Sequence, residues 1–300
     1  MNSVLTNGAF PPQVSEVAQA LRAYAPAEGL NDSPVDGVCV YRTDSLMPRT
    51  PVIYDPCLVI VVQGCKRGYL DDHIFEYNSS SYLACSVPVP FEVEILEASP
   101  DQPFLALGIP IVASEIGDLQ MQIDDSDLPD EDLPHAVDTS PLQGEMLDAV
   151  ARLIRTFDSA SNANVLGPLI RREILYRVLT SEQGGAMRAV VQRKSHFRRI
   201  GDVMRTIHDD CAQPVTTADM MRIAGMSKTT LHKSFKAVTA MTPLQFVKSV
   251  RLHQAKALMM NEGLSASTAA YQVGYASASQ FSREFKRLFG LPPSEVGKLV

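Results

Sequence analysis

Sliding the sequence against itself by 50 residues exposes the pattern that leaves this chain the fewest folding options. Ser227-x-x-x-Leu231-x-x-x-Phe235-Lys236 falls on Ser277-x-x-x-Phe281-x-x-x-Phe285-Lys286, and each copy is followed at the same distance by a proline, Pro243 and Pro293. A serine at the start of such a unit can satisfy an orphaned helix amide. Apolar residues four and eight positions later share one face and leave the other polar. Just upstream of each unit lies a second helical stretch that runs into glycine: Thr217 to Ala224 before Gly225, and Ser267 to Val273 before Gly274. Glycine there allows the left-handed residue that stops a helix and turns the chain. Helix, glycine turn and Ser-capped helix together make a helix-turn-helix, whose second helix enters the DNA major groove. One copy is a weak signal; two in register are a strong one.

Between the copies, Pro243 to Asn261 is predicted to be a helix with Phe246, Val250, Leu252, Ala255, Leu258 and Met259 on its buried side. Nineteen residues at about 1.5 Å each span roughly 28 Å, close to the ~34 Å turn of B-DNA. Such a strut can set two reading helices into successive groove segments, so one protomer could read an asymmetric site.

Charge supports this assignment. Ser195 to Val300 holds 14 Lys and Arg against 7 Asp and Glu, whereas Met1 to Lys194 holds 13 against 27. The overall charge of −7 therefore hides a basic third behind an acidic body, as expected of a polyanion-binding module joined to a part that avoids polyanions.

Three hundred residues suggest about two domains. In the front part, Gln13 to Ala25 reads as a helix. From Val38 to Ile109 the texture is β-rich: Val38–Tyr41, Leu58–Val62, Tyr82–Val87, Phe91–Leu96 and Phe104–Leu107, with Asp71-Asp72 as a hairpin turn between Tyr69-Leu70 and Ile74-Phe75. Leu58 to Val62 is apolar enough to be buried on both faces. Short, regularly spaced strands suggest a barrel or sandwich. Ile123 to Pro134 carries six acidic residues and two prolines and reads as a solvated connector. Two apolar-striped helices follow, one with Leu142, Met146, Val150, Leu153 and Phe157, the other with Leu166, Leu169, Ile170, Ile174, Val178 and Leu179. These stripes either pack on their own domain or pair across a two-fold axis. Glu182-Gln183-Gly184-Gly185 closes the pair.

These residues resemble the AraC/XylS family of transcription regulators. The matching text includes Ala224-Gly225-Met226-Ser227, Arg251-Leu252-His253-Gln254-Ala255, Val273-Gly274-Tyr275 and the run Ser279 to Gly290. Toward the front, Tyr54-Asp55-Pro56, Val62-Gln63-Gly64-x-Lys66-Arg67, Phe75-Glu76-Tyr77, Tyr82-Leu83 and Arg172-Glu173-Ile174-Leu175-Tyr176 are similar to the sensor domain of one subgroup. The resemblance implies an α+β chain. Residues 1–187 would form a cupin-like small β-barrel with flanking helices for effector sensing and dimerisation. Residues 188–300 would form an all-α DNA-binding domain with helix-turn-helix units at about 216–240 and 265–290. It also implies activation of transcription and contact with RNA polymerase. By the same resemblance, the base readers are Thr229, His232 and Lys233 in the first unit and Ser279, Gln280, Ser282 and Arg283 in the second. Chemistry agrees for Arg283, bidentate to guanine, and for Gln280, bidentate to adenine. Lys228, Lys236, Lys286 and Arg287 are expected to neutralise phosphates, giving affinity rather than sequence.

Other classes fare worse. The strand region offers His73 with Glu76 but no ligand cluster, so neither a metal nor another cofactor is expected. No Gly-rich phosphate loop or nucleophile elbow occurs. The barrel is better read as an apolar pocket with a few polar anchors. A cupin-type metalloenzyme with an appended basic domain, or a non-specific architectural DNA-binding protein, are the alternatives. The N-terminus lacks a secretory signal, and no apolar run is long enough to span a membrane. Five scattered cysteines argue for reduced thiols in a cytoplasm. Cys65 sits beside Lys66 and Arg67, whose charge is expected to favour its thiolate, with Cys57 or Cys85 as a partner in sensing an electrophile or oxidant. Otherwise all three are small buried hydrophobes.

Overall fold

The computed structural model describes residues 12–123, 135–181, 184–191 and 196–298. The acidic residues read as a connector, Asp124 to Asp132, lie outside the described residues, as do Glu182 and Gln183. After α1 (Pro12–Arg22), nine strands follow: β1 (Gly29–Asp32), β2 (Cys39–Thr43), β3 (Met47–Tyr54), β4 (Cys57–Gln63), β5 (Cys65–Leu70), β6 (His73–Asn78), β7 (Ser81–Cys85), β8 (Val89–Glu97) and β9 (Phe104–Pro110). Then come α2 (Ala113–Gln120), β10 (Val137–Pro141), α3 (Gly144–Arg155), α4 (Ala160–Val165), α5 (Gly167–Thr180) and α6 (Gly185–Val191). The remainder is helical: α7 (His196–Asp209), α8 (Thr217–Ala224), α9 (Lys228–Thr239), α10 (Pro243–Asn261), α11 (Ala266–Gln272) and α12 (Ala278–Phe289).

The strands form two antiparallel sheets, ordered β1-β2-β9-β4-β7-β10 and β3-β8-β5-β6. Period-2 alternation decides what each face meets. On β4, Leu58, Ile60 and Val62 point outward under α1, α3 and α5, while Val61 points inward with Leu83 and Cys85 of β7. Both faces of this strand are buried, as its unbroken apolar run predicts. The smaller sheet sends Phe75, Tyr77, Phe91, Val93 and Ile95 into the same interior.

The helical stripes pack on their own domain at Met146, Val150, Leu153 and Phe157, and at Ile170, Ile174, Val178 and Leu179. Leu166 and Leu169 depart from this, being 44% and 63% exposed beside Val165 at 64%. The interior-facing barrel residues and the cores of α7 to α12 belong to one continuous apolar cluster. Gly201 of α7 is part of the reason: a Cβ there would lie 2.9 Å from a Val87 methyl, so only glycine lets the helix approach this closely. A backbone hydrogen bond from Ala136 N–H to the Val238 carbonyl (3.1 Å) ties the barrel to the end of α9, and Ser86 N–H donates to Ala136 (3.0 Å) on the other side.

Candidate nucleic-acid interface and sensor barrel

Each half of the repeat folds as its caps dictate. The Thr230 amide donates to Ser227 Oγ (3.2 Å) and the Gln280 amide to Ser277 Oγ (3.3 Å), which starts α9 and α12 at the two serines. Gly225 caps α8 in the left-handed conformation (φ 59°). Gly274 (φ 86°) has a second constraint, because a Cβ there would meet the Ala212 carbonyl at 2.5 Å. Leu231, Phe235, Phe281 and Phe285 are fully buried, and this turns the opposite faces outward.

On those faces Thr229 and Lys233 are exposed and His232 is half-buried; Ser279, Gln280 and Arg283 are exposed, and Ser282 is half-buried. Ser282 Oγ donates back to the Ala278 carbonyl (2.9 Å), which occupies its proton. Lys228, Lys236 and Lys286 are exposed, and Arg287 stands beside them. Among the described residues, none of the cations on these two helix faces is held in an ion pair, so they are available to an anionic partner. Arg287 also borders a cleft of about 370 Å³ between the barrel and the helical part.

Three tethering residues escaped the sequence reading. Arg251 on α10 donates to the carbonyls of Cys211 (2.7 Å), Gln213 (3.1 Å) and Gly274 (3.1 Å), pinning the strut to the loop before α8 and to the second turn. Glu284 on α12 accepts from Lys248 Nζ (2.7 Å), Tyr275 Oη (2.9 Å) and Gln280 Nε2 (3.2 Å). Burial opposes ionisation of Glu284, yet these three donors hold its carboxyl below the usual carboxylate range. His253 is buried edge-on against Phe289 (5.1 Å), and desolvation, helped by Lys256, pulls its pKa down to about 3. The close spacing of Arg251 and His253 within one helix was visible; their partners, on other elements, were not.

In the barrel, the expected lowering of the Cys65 thiol by Lys66 and Arg67 is not seen. Cys65 is buried, and desolvation together with Glu76 and Glu97 pushes its thiol up to about 11 despite Arg67. Alternation along β5 explains why: Lys66 points inward, and Arg67 is spent on Glu76. Cys57 is pushed up to about 12 by burial and the buried Cys85 thiol is raised as well, so none of the three is a ready thiolate. Cys57 and Cys85 are cross-strand partners in the register of β4 with β7. His73, read with Glu76 as falling short of a ligand cluster, stacks on His135 at 5.0 Å. Among the described residues, no three His, Cys, Asp or Glu side chains gather in metal-binding geometry.

Lys66 places a charge in the barrel interior. It is 5% exposed, donates to Tyr54 Oη (2.7 Å) and is ringed by Tyr41, Tyr54 and Phe104. Burial lowers its pKa to about 8.

A β-rich sensor-like part fused to two helix-turn-helix units defines a DNA-binding regulator by architecture. The family profile for the N-terminus of AraC-type transcriptional regulators matches residues 34–186, and a helix-turn-helix domain profile matches residues 220–298. The chain belongs to the family of AraC-type transcriptional regulators. An AraC-like transcription regulator of Streptomyces lividans is 31% identical over 99 residues, 33% of each chain. The transcriptional activator RhaS of Escherichia fergusonii is 27% identical over 158 residues, 50% of this chain and 54% of that one. The chain thus spans a third to about half of the length of these curated relatives. Among solved structures, a ligand-free point variant of ToxT from Vibrio cholerae superposes with a TM-score of 0.55 at 15% identity, covering 91% of this chain and 100% of that one. Wild-type ToxT bound to an unsaturated fatty acid gives a TM-score of 0.53 at 16% identity, with coverages of 86% and 93%. At such identities the likeness establishes the fold alone.

Proposed function

We propose that the chain is a sequence-specific, double-stranded-DNA-binding transcription activator whose residues 188–300 read the operator and whose residues 1–187 sense a small-molecule effector and dimerise. One observation carries this reading: two Ser-capped helices bury their apolar faces and present unpaired cations and amide or hydroxyl groups outward. Arg283 and Gln280 are the principal base readers, with Thr229, His232, Lys233, Ser279 and Ser282 beside them. Lys228, Lys236, Lys286 and Arg287 take phosphates. The effector assignment follows ToxT, whose solved forms include one bound to an unsaturated fatty acid. Contact with RNA polymerase follows the family, and the reduced cysteines fit a cytoplasmic location. Among the described residues, no helix is long and apolar enough to cross a membrane. The exposed row Val165, Leu166, Leu169 and Tyr176 is the surface on which a homodimer would close.

Selection of bound duplexes from a pool of genomic fragments tests the core of this reading. A regulator prefers its own site by about 10³-fold or more over unrelated duplexes. Equal binding to all duplexes at moderate salt would replace it with the architectural alternative.

A further inference from the structure

Cations on the outer face of the small sheet are matched by acids: Arg49 pairs with Glu92, and Arg67 with Glu76. Lys66, next to Arg67 on β5 but facing inward, is different. Its surroundings are the rings of Tyr41, Tyr54 and Phe104 at 5.3, 5.4 and 5.7 Å, and no carboxylate contributes to its electrostatics. A buried ammonium without a counter-ion is expensive to keep, and an apolar residue of similar length would serve packing better. Directly across the strand pair, Tyr77 buries a hydroxyl that lies near Tyr54 but completes no well-formed hydrogen bond. The ammonium uses one of its three donors, on Tyr54 Oη, and the Tyr54 and Tyr77 protons remain to be given. Burial raises the pKa of both phenols, so they stay protonated donors. The two phenolic protons and the remaining ammonium donors therefore lack an acceptor.

We propose that Lys66, Tyr54 and Tyr77 form the head-group site for a carboxylate effector inside the barrel. This rests on the reading of the chain as an effector-responsive regulator and names the chemistry of that effector. A neutral polyol would satisfy the phenols but leave the charge unbalanced; a carboxylate satisfies both. The rings of Tyr41, Tyr54 and Phe104 around the ammonium are compatible with a ligand whose remaining body is apolar. Phe91 packs edge-on against Tyr54 (5.0 Å) and also lines the cleft between the barrel and α10–α12, so one ring separates that cleft from the Lys66 partner. Occupancy of the head-group site is thereby placed next to the surface on which the reading helices rest.

Calorimetry on the full chain with sodium octanoate and sodium benzoate, each against its alcohol (octanol, benzyl alcohol), tests the assignment. At least one acid is expected to bind about tenfold or more tightly than its alcohol, as a charge-assisted contact predicts. Lys66→Met should abolish that preference, and Tyr77→Phe should reduce it severalfold. In the absence of ligand, Lys66→Met should melt above the wild type, because the uncompensated charge is gone. Equal binding of acid and alcohol, no binding of either acid at millimolar concentration, or undiminished acid preference in Lys66→Met overturns the proposal. Should Lys66→Met fail to fold, an unchanged preference in Tyr77→Phe does so. Binding of the selected duplex, measured on the same samples, separates the two readings. Acid binding that depends on Lys66 but leaves DNA affinity unaltered keeps the head-group site and removes effector control. A DNA response to acid that persists in Lys66→Met keeps effector control and removes the site.

Discussion

The two helix-turn-helix units share a repeat but are anchored differently. In the second, Gln280 is held by Glu284, which is held in turn by Lys248 of the strut and Tyr275 of the turn. Its core is aromatic, with Phe281, Phe285 and Phe289 in mutual contact at 5.4 and 4.5 Å. In the first, among the described residues, no such network reaches Thr229, His232 or Lys233; the notable tether lies at the far end, where Val238 accepts from Ala136 of the barrel. A preorganised reader loses less entropy on docking, whereas a reader roped to the sensor can be moved by it. This difference predicts that the second unit contributes more to base choice and the first more to control, although α12 also packs on β3 of the barrel.

The largest way to break this contrast is through the cores. Phe281→Ala should cost about 3–5 kcal/mol and unfold the second unit, and Leu231→Ala about 2–5 kcal/mol in the first. Chemical denaturation followed by hydrogen exchange would locate each loss, and equal loss of protection in both units would show that they unfold as one. At the DNA surface, Arg283→Ala should cost about 1–3 kcal/mol on the selected duplex and relax choice at one base pair. Lys233→Ala should relax choice at its own base pair and cost less, since a lone ammonium reads less than a guanidinium fork. Anisotropy titrations on single-base variants would compare them, and matching losses would erase the distinction.

Acid offers a third handle. His253 has a folded pKa of about 3 against an ordinary 6.5, because burial excludes the imidazolium. The unfolded chain then binds more protons between those values, so its contribution to stability is complete above pH 6.5 and is lost as pH falls toward 3. The slope is at most about 1.4 kcal/mol per pH unit. Since His253 packs on Phe289, acidification should loosen the second unit before the first, and His253→Phe should flatten the pH profile. A profile unaltered by that substitution would place the acid sensitivity elsewhere.

Much of this was legible in the sequence, and the exceptions have a common physics. Serine caps, glycine turns and apolar spacing are local, so Thr217–Ala224 and Pro243–Asn261 come out at the predicted bounds. The strands not anticipated, β1, β3 and β10, are all sheet edges. Edge strands pair on one side only and tolerate residues that a central strand rejects, such as Pro48 and Pro51 in β3. Lys66 was misjudged for a related reason. Neighbours along a strand face opposite sides, so counting charges beside Cys65 joined groups that the pleat separates. Glu284 and Arg251 act on partners far along the chain, and no local pattern announces those.

The smallest test falls on the junction between sensor and first reader. Ala240 ends α9 at φ 58°, a left-handed conformation that the corresponding helix of the second unit assigns to Gly290 at φ 76°. An alanine there bears a steric cost of roughly 1–2 kcal/mol that glycine avoids, offset in part by the greater freedom glycine has when unfolded. Ala240→Gly should therefore stabilise the chain, by less than about 1 kcal/mol, in thermal denaturation. The strain lies two residues beyond Val238, the acceptor for Ala136, and Ala240 itself borders the cleft between barrel and strut. If the first unit is coupled to the sensor through this end, relaxing it should also shift the DNA response to ligand while leaving the second unit's base preference untouched. A change in base preference at the Arg283 position, with the ligand response unaltered, would reverse the division of labour between the two units.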